Sequence, residues 1–483
     1  MNITNKENTP RVPTLIQSLI PILTLLLLIM LNVFFTSGDS LGGANQLSLV
    51  LAAFVAGGIA IYNRVKWQTI SDSITHIFSS AVPAILILLM VGVLSGSWVI
   101  SGVIPTMIYY GLDILRPEYF FVATIIITAI ISIATGSSWS TIATIGVALI
   151  SIGEALNFNP AWTAGAIISG AYFGDKVSPL SDTTNLAATV ANVDVFAHIR
   201  YMMRTTVPSI LITIGAFMVL TYMSDATENY NLHTVEQFQT VIADTYNVSI
   251  FLLLIPVIVV MLIVKKMPAI PVLLIGSLLA IVTAGLFQEG YLMSLNGGQA
   301  LTMFDRYEIL TRAMYGSTVP QTASAEVNDL LSTGGMAGMT NTVWLIITAM
   351  IFGGVMEAGH FLEKITYTIL KKVKSRAGMV TATTTTCIMF NMTTGDQYMS
   401  IIIPGKMFVG AYERTGYNPL LLSRTLEDAA TATSPLVPWN TCGATQATIL
   451  GVSTVAYLPF AVFCYVSPIM TLLFAWAKTI VKK

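Results

Sequence analysis

The sequence predicts an all-α polytopic membrane protein, an inverted repeat of about five spans per half with two re-entrant hairpins and two interrupted helices. Three observations predict it. The 483 residues are 54% hydrophobic and only 10% charged, against about 25% charged in an ordinary soluble domain. Dense polar clusters interrupt long apolar runs. The two halves of the chain repeat one another with opposite charge bias.

A polar tail over 1–11 precedes an uncharged run over 12–37. That run is too long for the apolar part of a secretory signal, so it reads as the first span. Further runs cover 46–63, 77–112, 119–153, 155–174, 205–224, 245–264, 267–288, 330–356, 377–395 and 429–477. Many exceed the roughly 20 residues a helix needs to cross a bilayer. Segment 64–79, with Trp67 near its start, reads as an interfacial helix or a plain loop. Arg64, Lys66, Arg200, Arg204, Lys265, Lys266, the basic run over 371–376 and the tail 478–483 are expected on the cytoplasmic side. Segment 225–244 lacks Lys and Arg but holds Asp225, Glu228, Glu236 and Asp244, and is expected outside, as is 289–329.

These assignments agree only if 119–156 and 378–415 are hairpins, with polar tips at 135–141 and 393–398, that return to the side they entered from. Segments 160–192 and 419–452 then cross as interrupted helices. The first repeat runs over 12–224 and the second over 245–477, joined by the external loop 225–244, with both termini inside. At an offset of 259, Thr135-Gly136 matches Thr394-Gly395, Ile142 matches Ile401, Gly146 matches Gly405, Glu154 matches Glu413, and Asn159-Pro160 matches Asn418-Pro419. Segment 364–376 carries five Lys or Arg, whereas its counterpart 105–117 carries only Arg116. Opposite bias on matching segments is what inversion with an odd number of spans produces.

The polar clusters carry the chemistry. Hydrocarbon cannot hydrogen-bond a broken backbone, so broken helices and carboxylates at membrane depth line a protein-enclosed site. A small cation needs several oxygens to replace its water shell, which unwound carbonyls and Ser, Thr, Asn and Asp oxygens supply. Asp175 and Asp182 flank Ser178-Pro179, and the proline prevents a continuous helical ladder. Asp396 lies at the second tip, and Asp428 precedes the second break. These four are the candidate ion- or proton-binding carboxylates, with Na+ expected at Asp175, Asp182 and Asp396. Ser137, Ser138, Ser178, Thr183, Asn185, Thr394, Ser434 and Asn440 are the candidate neutral oxygens. Lys176 and Arg424 are candidate counter-charges, and Glu357, near His360 and Glu363, is a candidate proton site or an interfacial acid.

Other polar residues read as structural. Glu154 and Glu413 fall at hairpin ends and His76, His198, His233 and His360 near polar boundaries, so all are expected to be interfacial or solvated. Thr383 to Thr386 are expected to satisfy helix carbonyls locally. Cys387, Cys442 and Cys464 lack metal-site spacing and read as small buried residues. No P-loop, zinc spacing or nucleophile elbow is present, which argues against an ATP-driven pump, a hydrolase, and any resident cofactor. A net charge of −1 gives no basic field for nucleic acid.

The block Gly174-Asp175-Lys176-Val177-Ser178-Pro179-Leu180-Ser181-Asp182-Thr183-Thr184-Asn185-Leu186-Ala187 closely resembles the signature of the NhaC family of sodium/proton antiporters, which also includes malate–lactate sodium antiporters. Trp98 to Leu112 and Ser434-Pro435-Leu436-Val437-Pro438-Trp439-Asn440 look like the same family. The resemblance implies secondary active transport, with sodium and pH homeostasis, in a bacterial plasma membrane. Cytoplasmic Na+ would leave in exchange for external H+. The alternative it leaves open is Na+-coupled exchange or uptake of a small organic acid. The plan is also similar to elevator-type transporters, which implies a mobile transport domain against a scaffold that forms a homodimer.

Overall fold

The computed structural model describes residues 10–35, 43–223 and 232–477. Helices α1 (Leu15–Phe35), α2 (Ala44–Tyr62), α3 (Trp67–Ile100) and α4 (Val103–Ile114) come first. Gly136 and Ser137 part α5 (Phe120–Thr135) from α6 (Ser138–Ala155). Residues 178–181 part α7 (Pro160–Val177) from α8 (Asp182–Val190). Then follow α9 (Val195–Met223), α10 (Leu232–Thr245), α11 (Leu254–Val264), α12 (Ala269–Phe287), α13 (Met303–Tyr315), α14 (Thr340–Ala358) and α15 (Phe361–Leu370). Residues 394–396 part α16 (Arg376–Thr393) from α17 (Gln397–Thr415). Between α18 (Pro419–Leu426) and α19 (Thr441–Leu450) lie a π-turn, Glu427–Thr431, and a 3-10 turn, Ser434–Leu436. The last long helix is α20 (Val462–Trp476). Among the described residues, eight helices are long and apolar enough to cross a membrane.

Segment 64–79 corrects the expectation of a separate interfacial helix or loop. Helix α3 begins at Trp67 and runs unbroken for 34 residues, because no glycine or proline occurs before Pro83. At 1.5 Å per residue it is about 50 Å long, more than the apolar core of a bilayer. His233 and the acidic residues Asp225 and Glu228 lie outside the residues whose side chains are described.

Local chemistry sets the breaks. Gly136 and Gly395 adopt left-handed φ of 68° and 66°, which glycine reaches without strain. Asn159 and Asn418 each cap a helix by accepting the amide two residues on at 2.9 Å, with proline at the first helical position. Residues matched in the sequence repeat therefore perform the same local tasks.

Small residues allow the closest helix contacts, as in membrane packing generally. Helix α5 lies against α7 at Gly170 and Gly174. A Cβ at Gly174 would fall 2.4 Å from the Ala129 carbonyl oxygen. Three apolar clusters form the interior. One joins the second half of α3 to α4–α7, α9, α11 and α12. A second joins α1, α2, the first half of α3 and α14. The third joins α8, α16, α17 and α18. The polar breaks lie where these clusters meet. Leu23, Leu211, Val219 and Leu278 face outward at half or more exposure, as lipid-facing residues do.

Candidate functional site

Each of the polar clusters at 135–141 and 393–398 is tied to the break that follows it. At the first, the Ser138 amide and hydroxyl donate to Asp175 Oδ2 at 3.1 and 2.7 Å, and the Ser178 hydroxyl donates to the Ile133 carbonyl at 2.7 Å. Asp175 thus sits on the amino end of α6, where the helix dipole favours a negative charge. At the second, the Thr441 amide donates to the Gly395 carbonyl at 2.7 Å and the Trp439 indole donates to the Met392 carbonyl at 2.6 Å. Asn440 caps α19 and donates to the Asn391 carbonyl at 3.1 Å.

A cleft of about 770 Å³ opens onto these breaks. Asp175, Asp182, Ser137, Thr183 and Asn185 line one side, with Thr135, Ser140, Gln397 and Tyr398. Ser80, Pro83 and Ile87 of α3 and the turn from Ile263 to Ala269, including Lys266, form the facing wall. The structure thus brings together five of the expected site residues. Tyr398 and Gln397 were not singled out from the sequence, although both stand beside Asp396 in the second polar cluster.

The other candidates lie elsewhere. Asp175 and Asp182 line the cleft together, whereas Asp396 is not among its lining residues. Asp396 is instead turned inward and caps α17 by accepting the Met399 amide at 2.9 Å. Thr394 donates to the Phe390 carbonyl at 2.8 Å and is a local tether, whereas the Ser434 hydroxyl lies 2.8 Å from the Thr431 carbonyl and 3.3 Å from Oε1 of Gln397, a cleft residue. The carbonyls freed around Pro179 are also occupied. Those of Pro179 and Ser181 accept from the Asn185 amide at 2.9 and 2.7 Å.

Asp428 is fully buried and heavily partnered. It forms an ion pair with Lys176, itself 1% exposed, and accepts from Thr205 at 2.9 Å, from Ser467 at 3.3 Å and from Thr471. Arg424 approaches it at 3.9 Å and stacks on Tyr201. Lys176 and Arg424 are therefore turned away from the cleft. Glu357 accepts from Ser73 at 2.9 Å and lines a separate cavity of about 460 Å³ with His76, Glu363 and Lys406.

Two further expectations are corrected. His198 is neither solvated nor interfacial: it is fully buried and its Nδ1 is 2.9 Å from the Ser423 hydroxyl, because α9 packs on α18 there. Thr383 does bond a helix carbonyl, that of Met379 at 2.9 Å, but the buried hydroxyls of Thr384 and Thr386 make no hydrogen bond. Sequence reading also passed over Glu427. It is fully buried and accepts from Thr183, a cleft residue, at 3.0 Å. The only signal was its place beside Asp428.

Comparison with known proteins gives a consistent result. A family model described as the Na+/H+ antiporter family matches residues 170–479. The chain is 38% identical to the Na(+)/H(+) antiporter NhaC of Alkalihalophilus pseudofirmus, covering 94% of this chain and 95% of that one. It is 35% identical to the Na(+)/H(+) antiporter NhaC of Bacillus subtilis, over 90% of this chain and 92% of the relative. It is 36% identical to the malate-2H(+)/Na(+)-lactate antiporter of Bacillus subtilis, over 95% and 93%.

Proposed function

Since the chain belongs to the Na+/H+ antiporter family, we propose that it exchanges cytoplasmic Na+ for external H+ across a bacterial plasma membrane, with Asp175 and Asp182 as the exchange site. The observation that carries this reading is the Asp175 carboxylate. It faces a cleft, accepts two hydrogen bonds from a helix amino end, and has no basic side chain in ion-pair contact among the described residues. A carboxylate so enclosed favours a neutralising partner, and a proton or a Na+ each supplies one. When Na+ binds it displaces the proton, and when the proton binds it displaces Na+. If the site crosses only when neutralised, exchange is obligatory. Ser137, Thr183 and Asn185 supply neutral oxygens, and Tyr398 and Gln397 close the inner wall. The halves are read as inverted repeats with re-entrant hairpins at 119–156 and 378–415 and both termini cytoplasmic.

A second reading rests on the size of the cleft. About 770 Å³ is far more than one bare ion fills, and a relative of similar identity is named for malate and lactate. A small organic acid would then lie between Lys266 and the tip hydroxyls, with Na+ beside it.

Proton flux in proteoliposomes with an imposed pH gradient tests both. Na+ alone should collapse the gradient, and Asp175→Asn or Asp182→Asn should abolish the response while the protein still inserts. Wild-type exchange in both variants removes these residues from the site. Flux that begins only when malate or lactate is added makes the organic acid the cargo.

A further inference from the structure

Of the second polar cluster, neither Thr394 nor Asp396 lines the cleft. Asp396 accepts the Met399 amide and is spent on the start of α17. The two side chains that follow it, Gln397 and Tyr398, face the cleft. Among the described residues, these two are the only cleft-lining side chains from the second half of the chain that carry an oxygen. The oxygen of Gln397 is already in use, with the Cys442 thiol at 3.1 Å and the Ser434 hydroxyl at 3.3 Å. The Tyr398 hydroxyl makes no hydrogen bond among the described residues, yet Asp182, Asp396 and Asp175 are all near enough for their charges to act on it. A phenol both donates and accepts, so its oxygen is available to whatever those carboxylates attract.

The sequence repeat gives this position a second meaning. At the offset of 259, Tyr398 matches Trp139; each is the second residue of its helix, and both line the cleft. In the first half that place holds an indole, which has no oxygen, but the same half brings Asp175 and Asp182 to the cleft. The second half brings no carboxylate to its surface and has a phenol where the indole stands. A small cation needs several oxygens around it, and those of one half alone leave the opposite end of the ion to water.

We propose that the Tyr398 hydroxyl is a ligand of the transported cation, the oxygen through which the second half of the chain grips an ion held by Asp175 and Asp182. This rests on the exchange reading above and deepens it. A proton on either carboxylate needs no oxygen shell, so Tyr398 stabilises the Na+-loaded site and not the proton-loaded one. It thereby sets how well Na+ competes with the proton.

Na+-driven proton flux in proteoliposomes, followed over a range of Na+ at fixed pH, tests the proposal. Tyr398→Phe keeps the ring and its packing and removes only the oxygen. KM for Na+ should rise about three- to tenfold, as loss of one neutral ligand does. The rate at saturating Na+ should stay within about twofold of wild type. A residue that only walls the cleft would leave KM unchanged in this variant, and that result overturns the ligand. A lowered saturating rate at wild-type KM places Tyr398 in the moving step and also overturns it. If Tyr398→Phe does not insert, nitration of the wild-type chain by tetranitromethane, mapped by mass spectrometry in Na+ or in choline, decides. Na+ should protect Tyr398 and leave Tyr222, which is 90% exposed, as reactive as before. Equal nitration of Tyr398 in both salts overturns the proposal. If wild type shows no Na+-driven flux, the exchange reading falls and the ligand with it; if wild type responds and Tyr398→Phe matches it, only the ligand is lost.

Discussion

At the scale of single residues, the Lys176–Asp428 pair is the feature with the largest expected energetic effect. Both groups are out of solvent, so each depends on the other for neutralisation. Lys176→Met should destabilise the protein by about 3–5 kcal/mol, because it leaves a buried carboxylate without its cation. Lys176→Met with Asp428→Leu should recover much of that loss, and thermal unfolding in detergent would show both effects. A Lys176→Met variant that melts like wild type would mean that Arg424 and the three hydroxyls already neutralise Asp428. At the exposed corner between α14 and α15, the hydrogen bond from His360 to Glu363, at 2.9 Å, holds the imidazole above its usual pKa and the carboxyl below its own. The imidazole's contribution is complete below its unfolded pKa and is lost as pH rises through the raised one. The carboxylate's contribution is present above its unfolded pKa and is lost as pH falls through the lowered one. The pair is therefore favourable in the window between the two, and an imidazole NMR titration should shift down toward the ordinary value in Glu363→Gln. The sequence shows the acids but not their roles. Glu427 and Asp428 are adjacent, so on a helix they point about 100° apart. Which one meets Lys176 is decided by a contact 252 residues distant in the chain.

At the scale of elements, the contact of α5 with α7 rests on glycine. Gly174→Ala would drive a methyl group into the α5 backbone and should cost about 1–3 kcal/mol as overpacking. Gly215→Ala in α9 meets nothing within 4 Å and should be neutral or stabilising by a few tenths of a kcal/mol or more. Paired melting curves check the contrast, and equal curves would mean that α5 and α7 can move apart at no cost. Helix starts and breaks were legible because Asn-Pro, Gly and Ser-Pro act on their own backbone. The π-turns at Ile142–Gly146 and Glu427–Thr431 were not legible. The second is held open by side chains that claim its carbonyls, from Asn391 at 2.7 Å and Thr433 at 2.6 Å, and no composition signal marks such a tether.

At the scale of the whole molecule, the arrangement of the halves is open to a direct test. Cys387, Cys442 and Cys464 are all buried, so a cysteine introduced at Asn157 or Tyr417 would be labelled against a low background. Asn157→Cys should react with an impermeant thiol reagent from outside, and Tyr417→Cys only from inside. Reaction of both from one side would overturn the inverted repeat. Composition alone made the membrane character legible, but not the cleft, whose facing wall comes from α3 and the α11–α12 turn, where Lys266 reads in the sequence only as a loop charge. The bonds between the first polar cluster and its break also have a mechanical consequence. Ser138 with Asp175 and Ser178 with Ile133 fasten the carboxylate side of the cleft into a single block, while the wall from Ser80 to Ile87 faces it across open space. Shear within the protein would be resisted inside that block and yield along the cleft. Any sliding along that line would leave Asp175 and the Ser138 bonds that hold it together on one side of the boundary.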